Sequence, residues 1–290
     1  MASTREIRRR IKSIRSTAQI TKAMQMVAAS KMRKAQQAAI DVRPFIRMVY
    51  RIQRRAVTRV SDFTHPLLDV RPVKKRLIIL VSSDKGLCGA LNSNLFRLVG
   101  RYDHRSTVFI TAGRKAAQFV ARTRRELVAD FPYGDTPRFA EARAIAAMAR
   151  DLFLKGDVDE VILVATRFIN TLTQEAVAFE YLPIGEIKGL RIPGSAPESE
   201  DVPAADTTEF RFEPGPEQIL SYLLGHFLNV LLYTVLLNAK ASEQSARMVS
   251  MKSATDNANT MIKDLTLAYN KLRQGAITQE LLEIAGGQAN

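Results

Sequence analysis

Few residues in this sequence could do chemistry. SSDKGLCGALN (Ser82–Asn92) sits between a β-rich run and a helical one, where a phosphate-binding loop would lie. Such a loop needs GxxxxGK[ST], so that backbone amides cradle phosphate and the lysine reaches it, or GxGxxG for a dinucleotide. Gly86 and Gly89 match neither spacing. Gly86, Leu87, Cys88 and Gly89 therefore read as the closing residues of a tight strand-to-helix turn. Cys88 is the single cysteine, with no His or acid adjacent to activate it, and reads as a small buried residue. One cysteine excludes an intramolecular disulfide and a multi-Cys zinc site. With only His65, His104 and His226 besides, no transition-metal site is expected. No carboxylate pair or Ser/His/Asp set can be assembled, so neither a catalytic residue nor a cofactor is expected.

Binding chemistry is more visible. The formal net charge is +14, and residues 1–60 carry sixteen Lys and Arg against only Glu6 and Asp41. The remaining 230 residues hold 27 charges of each sign, so the whole excess lies on one terminal segment. Such a block implies a polyanionic partner: nucleic acid, anionic lipid or an acidic protein surface. A nucleic-acid arm would interleave aromatics for base stacking, and none precedes Phe45. A solvated helical face meeting an acidic protein partner suits the pattern better. The N-terminal MASTREIRRRIKSIRS lacks the apolar core of a secretory signal, and its helical pattern continues without a break.

The elements that position these residues follow from periodicity. From Ile7 through Ala18, Thr21, Gln25, Ala28, Met32, Ala35, Ala39, Ile46 and Val49 to Val60, apolar or small residues recur in steps of four and three. That heptad seam predicts one long helix over residues 4–60, roughly 80 Å at ~1.5 Å per residue, with Pro44 expected to kink or restart it. From Glu217 to about Ala285 no proline occurs, and a second seam runs Leu223, Phe227, Val230, Thr234, Ala241, Gln244, Met251, Thr255, Ala258, Ile262 to Ala276. No single-domain core can bury such a helix along its whole length. Between the two, strands at Arg76–Ser82, Thr107–Thr111, Glu126–Phe131, Glu160–Thr166 and Glu175–Leu182 alternate with helices near Ala90, Arg114–Arg122 and Pro137–Lys155. This predicts an α/β layer around a mostly parallel sheet. The Pro137–Lys155 helix carries apolar residues at Ala140, Ala144, Ala147, Met148 and Leu152.

The expected organisation is a long N-terminal helix (1–60), a linker (61–75), a Rossmann-like α/β domain (76–212) and a long C-terminal helix (216–290). The terminal helices pair as an antiparallel two-helix coiled coil. The acidic, Pro- and Ser-rich stretch 193–208 reads as a flexible loop. Gln218–Ala239 is uncharged for 22 residues, long enough to cross a bilayer. Its heptad phase runs on into a clearly aqueous helix, so a helix root buried against the α/β domain is the better reading.

REIRRRIKSIRSTAQITKAMQMVAASKMRKAQ (Arg5–Gln36) resembles the opening of ATP synthase gamma subunits. SSDKGLCGALN resembles their central motif, and YNKLRQGAITQELLEIAGG (Tyr269–Gly287) their C-terminal signature. The resemblance, to bacterial members of the family, covers the chain end to end. It implies a central-stalk rotor: a shaft inside a ring of alpha and beta subunits, with its α/β domain held by the epsilon subunit and the c-ring. Proton-driven turning of the shaft would cycle the catalytic beta subunits, while this chain binds no nucleotide and is not itself an enzyme. The resemblance places Arg273, Gln274, Thr278 and Glu280, with Lys31, Arg33 and Lys34 of the basic segment, against beta. It implies a peripheral location on the cytoplasmic side of the bacterial inner membrane. The regulatory cysteine pair of chloroplast gamma subunits is absent. A coiled-coil nucleic-acid-binding protein and a nucleotide-binding enzyme built on the middle domain are the competing readings of the residues alone.

Overall fold

The structure is a computed structural model and describes residues 4–57, 63–184, 213 and 215–287. In chain order it contains α1 (Thr4–Val57), a single 3-10 turn (Pro66–Leu68), β1 (Arg76–Val81), α2 (Leu91–Val99), β2 (Thr107–Ala112) and α3 (Arg114–Arg122). There follow β3 (Glu126–Phe131), α4 (Phe139–Lys155), β4 (Glu160–Phe168), β5 (Gln174–Leu182) and α5 (Pro216–Gly287). The acidic stretch 193–208 and the last residues of the expected first helix, 58–60, lie outside the described residues. Two compact units share the chain: Met1–Ala29 with Arg247–Asn290, and Ser30–Ala246.

In the first unit the seam residues do what their spacing demands. Ile7, Ala18, Thr21 and Ala28 are buried on α1, and Met251, Thr255 and Ala258 on α5. Small residues let the two backbones approach closely but bury little area per step. A polar contact fixes the register instead: the Thr21 and Thr255 hydroxyls lie 2.7 Å apart. Each also meets a carbonyl of its own helix, Ala18 and Met251.

The second unit is built on a five-stranded sheet in the order β3-β2-β1-β4-β5, parallel except for the β4–β5 pair. Successive side chains of a strand face opposite sides. Leu77, Ile79 and Val81 of β1 accordingly enter one apolar cluster with α4 and α5, while Ile78 and Leu80 enter another with α2 and α3. Burial on both faces explains why RLIILV is apolar throughout and does not alternate. In this unit α1 and α5 run antiparallel. Lys31 and Lys240 share Asp135, and fourteen residues further along α1, Phe45 meets His226, earlier in α5, with ring centroids 5.6 Å apart.

Two details go beyond what periodicity could decide. α1 does not restart at Pro44, which lies inside a continuous helix. Proline removes one intrahelical hydrogen bond, and the flanking turn is held by the Phe45–His226 contact and by buried Val49. In α4 the buried face is Ala142, Ile145, Ala146, Ala149 and Phe153, not the face of Ala140, Ala144 and Met148, which are exposed. Alanines occur on both faces, so the larger Ile145 and Phe153 decide, because burial gain scales with apolar area.

α5 contains a segment long and apolar enough to cross a membrane, yet 61% of its most apolar window is buried within the protein. Leu224, Phe227, Leu228, Leu231, Leu232 and Val235 belong to the core shared with the sheet. A helix root packed on the α/β layer accounts for its composition.

Thr21→Val or Thr255→Val alone should lower stability by about 1 kcal/mol, the net worth of one hydrogen bond, whereas the double change should cost less than the sum. Urea unfolding followed by circular dichroism checks this, and strict additivity would show that the two hydroxyls do not interact.

Candidate functional site

Open parallel sheets bind ligands at the carboxyl ends of their strands, where the chain reverses its direction of winding. Here that point lies between β1 and β4, and the motif Ser82–Asn92 follows β1. Its polar groups are turned inward on the chain. Ser82 Oγ accepts the Ala116 amide at 2.7 Å, and Asp84 Oδ1 accepts the Arg114 amide at 3.0 Å. The amides at the α3 N-terminus, which a phosphate would need, are thereby satisfied from within. Asn92 donates to Ser83 Oγ at 2.7 Å and to the Cys88 sulfur at 3.5 Å, and accepts the Ser83 amide at 3.3 Å. Cys88 is buried in this knot.

The glycines of the motif serve the turn. A Cβ on Gly86 or Gly89 would meet nothing within 4 Å, so neither is required by packing within the chain. Gly89 adopts φ 59°, and Leu87 beside it takes φ 63° without being glycine. The glycine that is sterically required lies elsewhere: Gly113, φ 99°, where a Cβ would stand 2.3 Å from the Ser82 carbonyl oxygen.

The crevice itself is filled by α5. Ser242 donates to the Thr166 carbonyl at 3.5 Å and Ser245 to the Thr171 carbonyl at 2.7 Å, while Gln174 donates to Ser245 Oγ at 3.4 Å. Ala246 packs on the cluster that holds Cys88 and Leu91. One helical turn earlier lies a charged group that the sequence reading missed. The Lys240 and Glu243 side chains are only 2% and 4% exposed, with Nζ 3.0 Å from Oε2. The Lys240 ammonium also sits 4.9 Å from the centre of the Tyr133 ring and 3.7 Å from Asp135 Oδ1. Tyr133 donates its hydroxyl to the Ser82 carbonyl at 2.8 Å. Burial, with Glu243 and Asp84 adding to it, pushes the Tyr133 phenol well above its ordinary range, so it remains a donor. Asp135 takes Lys31 Nζ on its other oxygen at 2.5 Å. That hydrogen bond, with Lys240 adding to it, holds the Asp135 carboxyl below the usual range. A depressed carboxyl contributes stability that is present above its unfolded value and lost as pH falls through the folded one. The available signal was Lys240 and Glu243 at i, i+3 directly after 22 uncharged residues.

The expected partner-contact residues fall in two places. Arg273, Gln274 and Thr278 are exposed on the last turns of α5, with Thr278 donating to the Gln274 carbonyl at 2.9 Å. Glu280 is in the same helix, its side chain outside the described residues. Arg33 and Lys34 are exposed on α1, whereas Lys31 is engaged by Asp135. The three histidines have local duties. His65 Nδ1 accepts the Leu67 amide, His104 meets the Thr123 carbonyl, and His226 lies among Phe45, Phe139 and Tyr222. Among the described residues no group of three His, Cys, Asp or Glu could hold a metal.

Comparison with known proteins gives one answer. The family model described as ATP synthase matches residues 3–290. The chain is 47% identical to the ATP synthase gamma chain of Opitutus terrae, covering 99% of this chain and 98% of that one. It is 43% identical to the gamma chain of Heliobacterium modesticaldum, covering 100% and 99%. Among solved structures, the central stalk and c-ring of the Tetrahymena thermophila mitochondrial ATP synthase matches with TM-score 0.58 at 25% identity, over 81% of this chain and 99% of that one. The Euglena gracilis mitochondrial enzyme, solved with OSCP, F1 and c-ring, matches in fold with TM-score 0.65 at 20% identity, over 99% and 93%.

Gly113→Ala should destabilise the α/β unit by about 2 kcal/mol or more, through positive φ and the clash with Ser82, whereas Gly86→Ala should be close to neutral. Thermal unfolding of the two variants side by side checks this, and equal midpoints would contradict the geometry.

Proposed function

We infer the role of this chain from one premise: it belongs to the ATP synthase gamma-chain family. It is the central-stalk rotor subunit of an F-type ATP synthase, a membrane-associated complex. Its partners are the alpha and beta subunits around the shaft, the epsilon subunit and the c-ring. The observation that carries this reading is full-length similarity to gamma chains, joined to two terminal helices of 54 and 72 residues that flank the α/β sheet.

The finer reading is that the chain itself is non-catalytic and lies on the cytoplasmic face of the inner membrane. In its support, the crevice where this sheet type binds nucleotides holds the chain's own Ser242, Ser245 and Ala246. The α3 N-terminus, a natural phosphate site, is capped by Ser82 and Asp84. The uncharged stretch of α5 is largely consumed by packing, which leaves attachment to the membrane to the partner ring.

In this reading Arg273, Gln274, Thr278 and Glu280, with Arg33 and Lys34, contact beta. Lys31 would reach beta only by exchanging Asp135, a pair exposed enough for its net worth to be small. Side chains at these positions cost little to truncate, because they are exposed near the end of a long helix. Arg273→Ala/Gln274→Ala/Thr278→Ala should lower ATP synthesis by reconstituted complex roughly tenfold, equivalent to about 1.4 kcal/mol, while assembly is retained. Normal synthesis by the assembled triple variant would remove these residues from the coupling path.

A further inference from the structure

α5 enters the sheet unit as an apolar rod. Leu224, Phe227, Leu228, Leu231, Leu232 and Val235 are buried, and the helix is apolar over most of its circumference, with Ser221, Tyr222 and Asn229 on the remaining side. Apolar burial is strong but non-directional. A helix rises ~1.5 Å and turns about 100° per residue, so a slip of about one turn keeps the polar side outward and exchanges one leucine for another. That surface sets the azimuth coarsely but does not by itself select one axial position.

The next residues do. Lys240 is a cation with 2% of its side chain exposed, and its ammonium can be satisfied in one place only. Glu243 comes from its own helix at i, i+3, while Tyr133 and Asp135 come from the loop between β3 and α4. Tyr133 is tied in turn to the end of β1 through the Ser82 carbonyl, and Asp135 to α1 through Lys31. A slipped α5 would carry Lys240 and Glu243 together away from Tyr133 and Asp135, leaving the buried pair without its partners on the β3–α4 loop, a costly fault in a core. A buried ion pair is nevertheless a poor source of stability, because well-packed apolar residues in its place are often neutral or better. Its net contribution is selection.

We propose that Lys240, Glu243, Tyr133 and Asp135 form a register pin that sets the rotational and axial position of α5 in the α/β unit. Lys240 is a positioning residue for coupling. The use made of the pin, delivery of torque at one angle, rests on the rotor reading; the pin itself does not.

Lys240→Met/Glu243→Leu in the full chain removes the pin while keeping the volume. The unfolding midpoint should be no lower than that of the parent. Spin labels at Val70→Cys and Tyr222→Cys, both highly exposed, in a Cys88→Ser background should then report a distance distribution that is broadened or split. In reconstituted complex, protons pumped per ATP should fall at least about threefold, since an ensemble of azimuths cannot meet one catalytic sequence. Asp135→Asn, which removes one exposed arm of the cluster, should broaden the distribution less. A double variant that keeps one narrow distance overturns the pin, as does one that broadens with coupling intact. Failure to fold also overturns it, because the pair would then serve stability and not register. If parent complex containing this chain pumps no protons on ATP hydrolysis, the rotor reading fails, and the distance measurement still decides the pin.

Discussion

The structure depends on how one helix is anchored. α5 runs for 72 residues, far beyond what the core of a five-stranded sheet can cover. Its first part is therefore largely apolar and built into that core, and its last part is polar with a half-buried seam. The change comes at Lys240–Arg247, where Lys240, Ser242, Glu243, Gln244, Ser245 and Arg247 are polar and nonetheless buried. There the helix lies at the carboxyl end of β4, reaching the Thr166 and Thr171 carbonyls and packing Ala246 on the cluster of Cys88 and Leu91. A fold that elsewhere binds nucleotides becomes a mount for its own helix, and the serines that reach Thr166 and Thr171 are the fasteners.

That substitution relates the chemistry to the mechanics. Groups near the motif are engaged internally: two α3 amides by Ser82 and Asp84, and Asn92 by Ser83 and Cys88. What remains available to partners is charge and shape on the helices. The basic excess of the first 60 residues, unexplained by any nucleic-acid motif, suits a shaft that meets acidic protein surface.

Much of this is legible in the sequence because helix period and strand alternation are strong signals. Every seam residue from Ile7 to Ala35 on α1 is buried or half-buried, and so is the α5 seam from Leu223 to Leu272. The sheet could be read from RLIILV, TVFIT and EVILVAT, whose runs are too apolar for an exposed face. What could not be read depends on long-range partners. The α4 face was ambiguous because alanine is spread around the helix. Lys240 looked like the return of solvent-facing charge, since only the fold brings Tyr133 and Asp135 to it. Pairing of Thr21 with Thr255 needed a register that two weak seams do not specify.

The central claim is that this chain turns as a body inside a stationary ring. The direct measurement attaches a gold nanorod at Leu172→Cys, an exposed position on the β4–β5 turn, in a Cys88→Ser background. The assembled complex is held by its ring under MgATP, and the rod is followed by polarised scattering. Unidirectional full turns, locked to hydrolysis, are the expected result. Sustained hydrolysis with the rod fixed in angle would contradict the account.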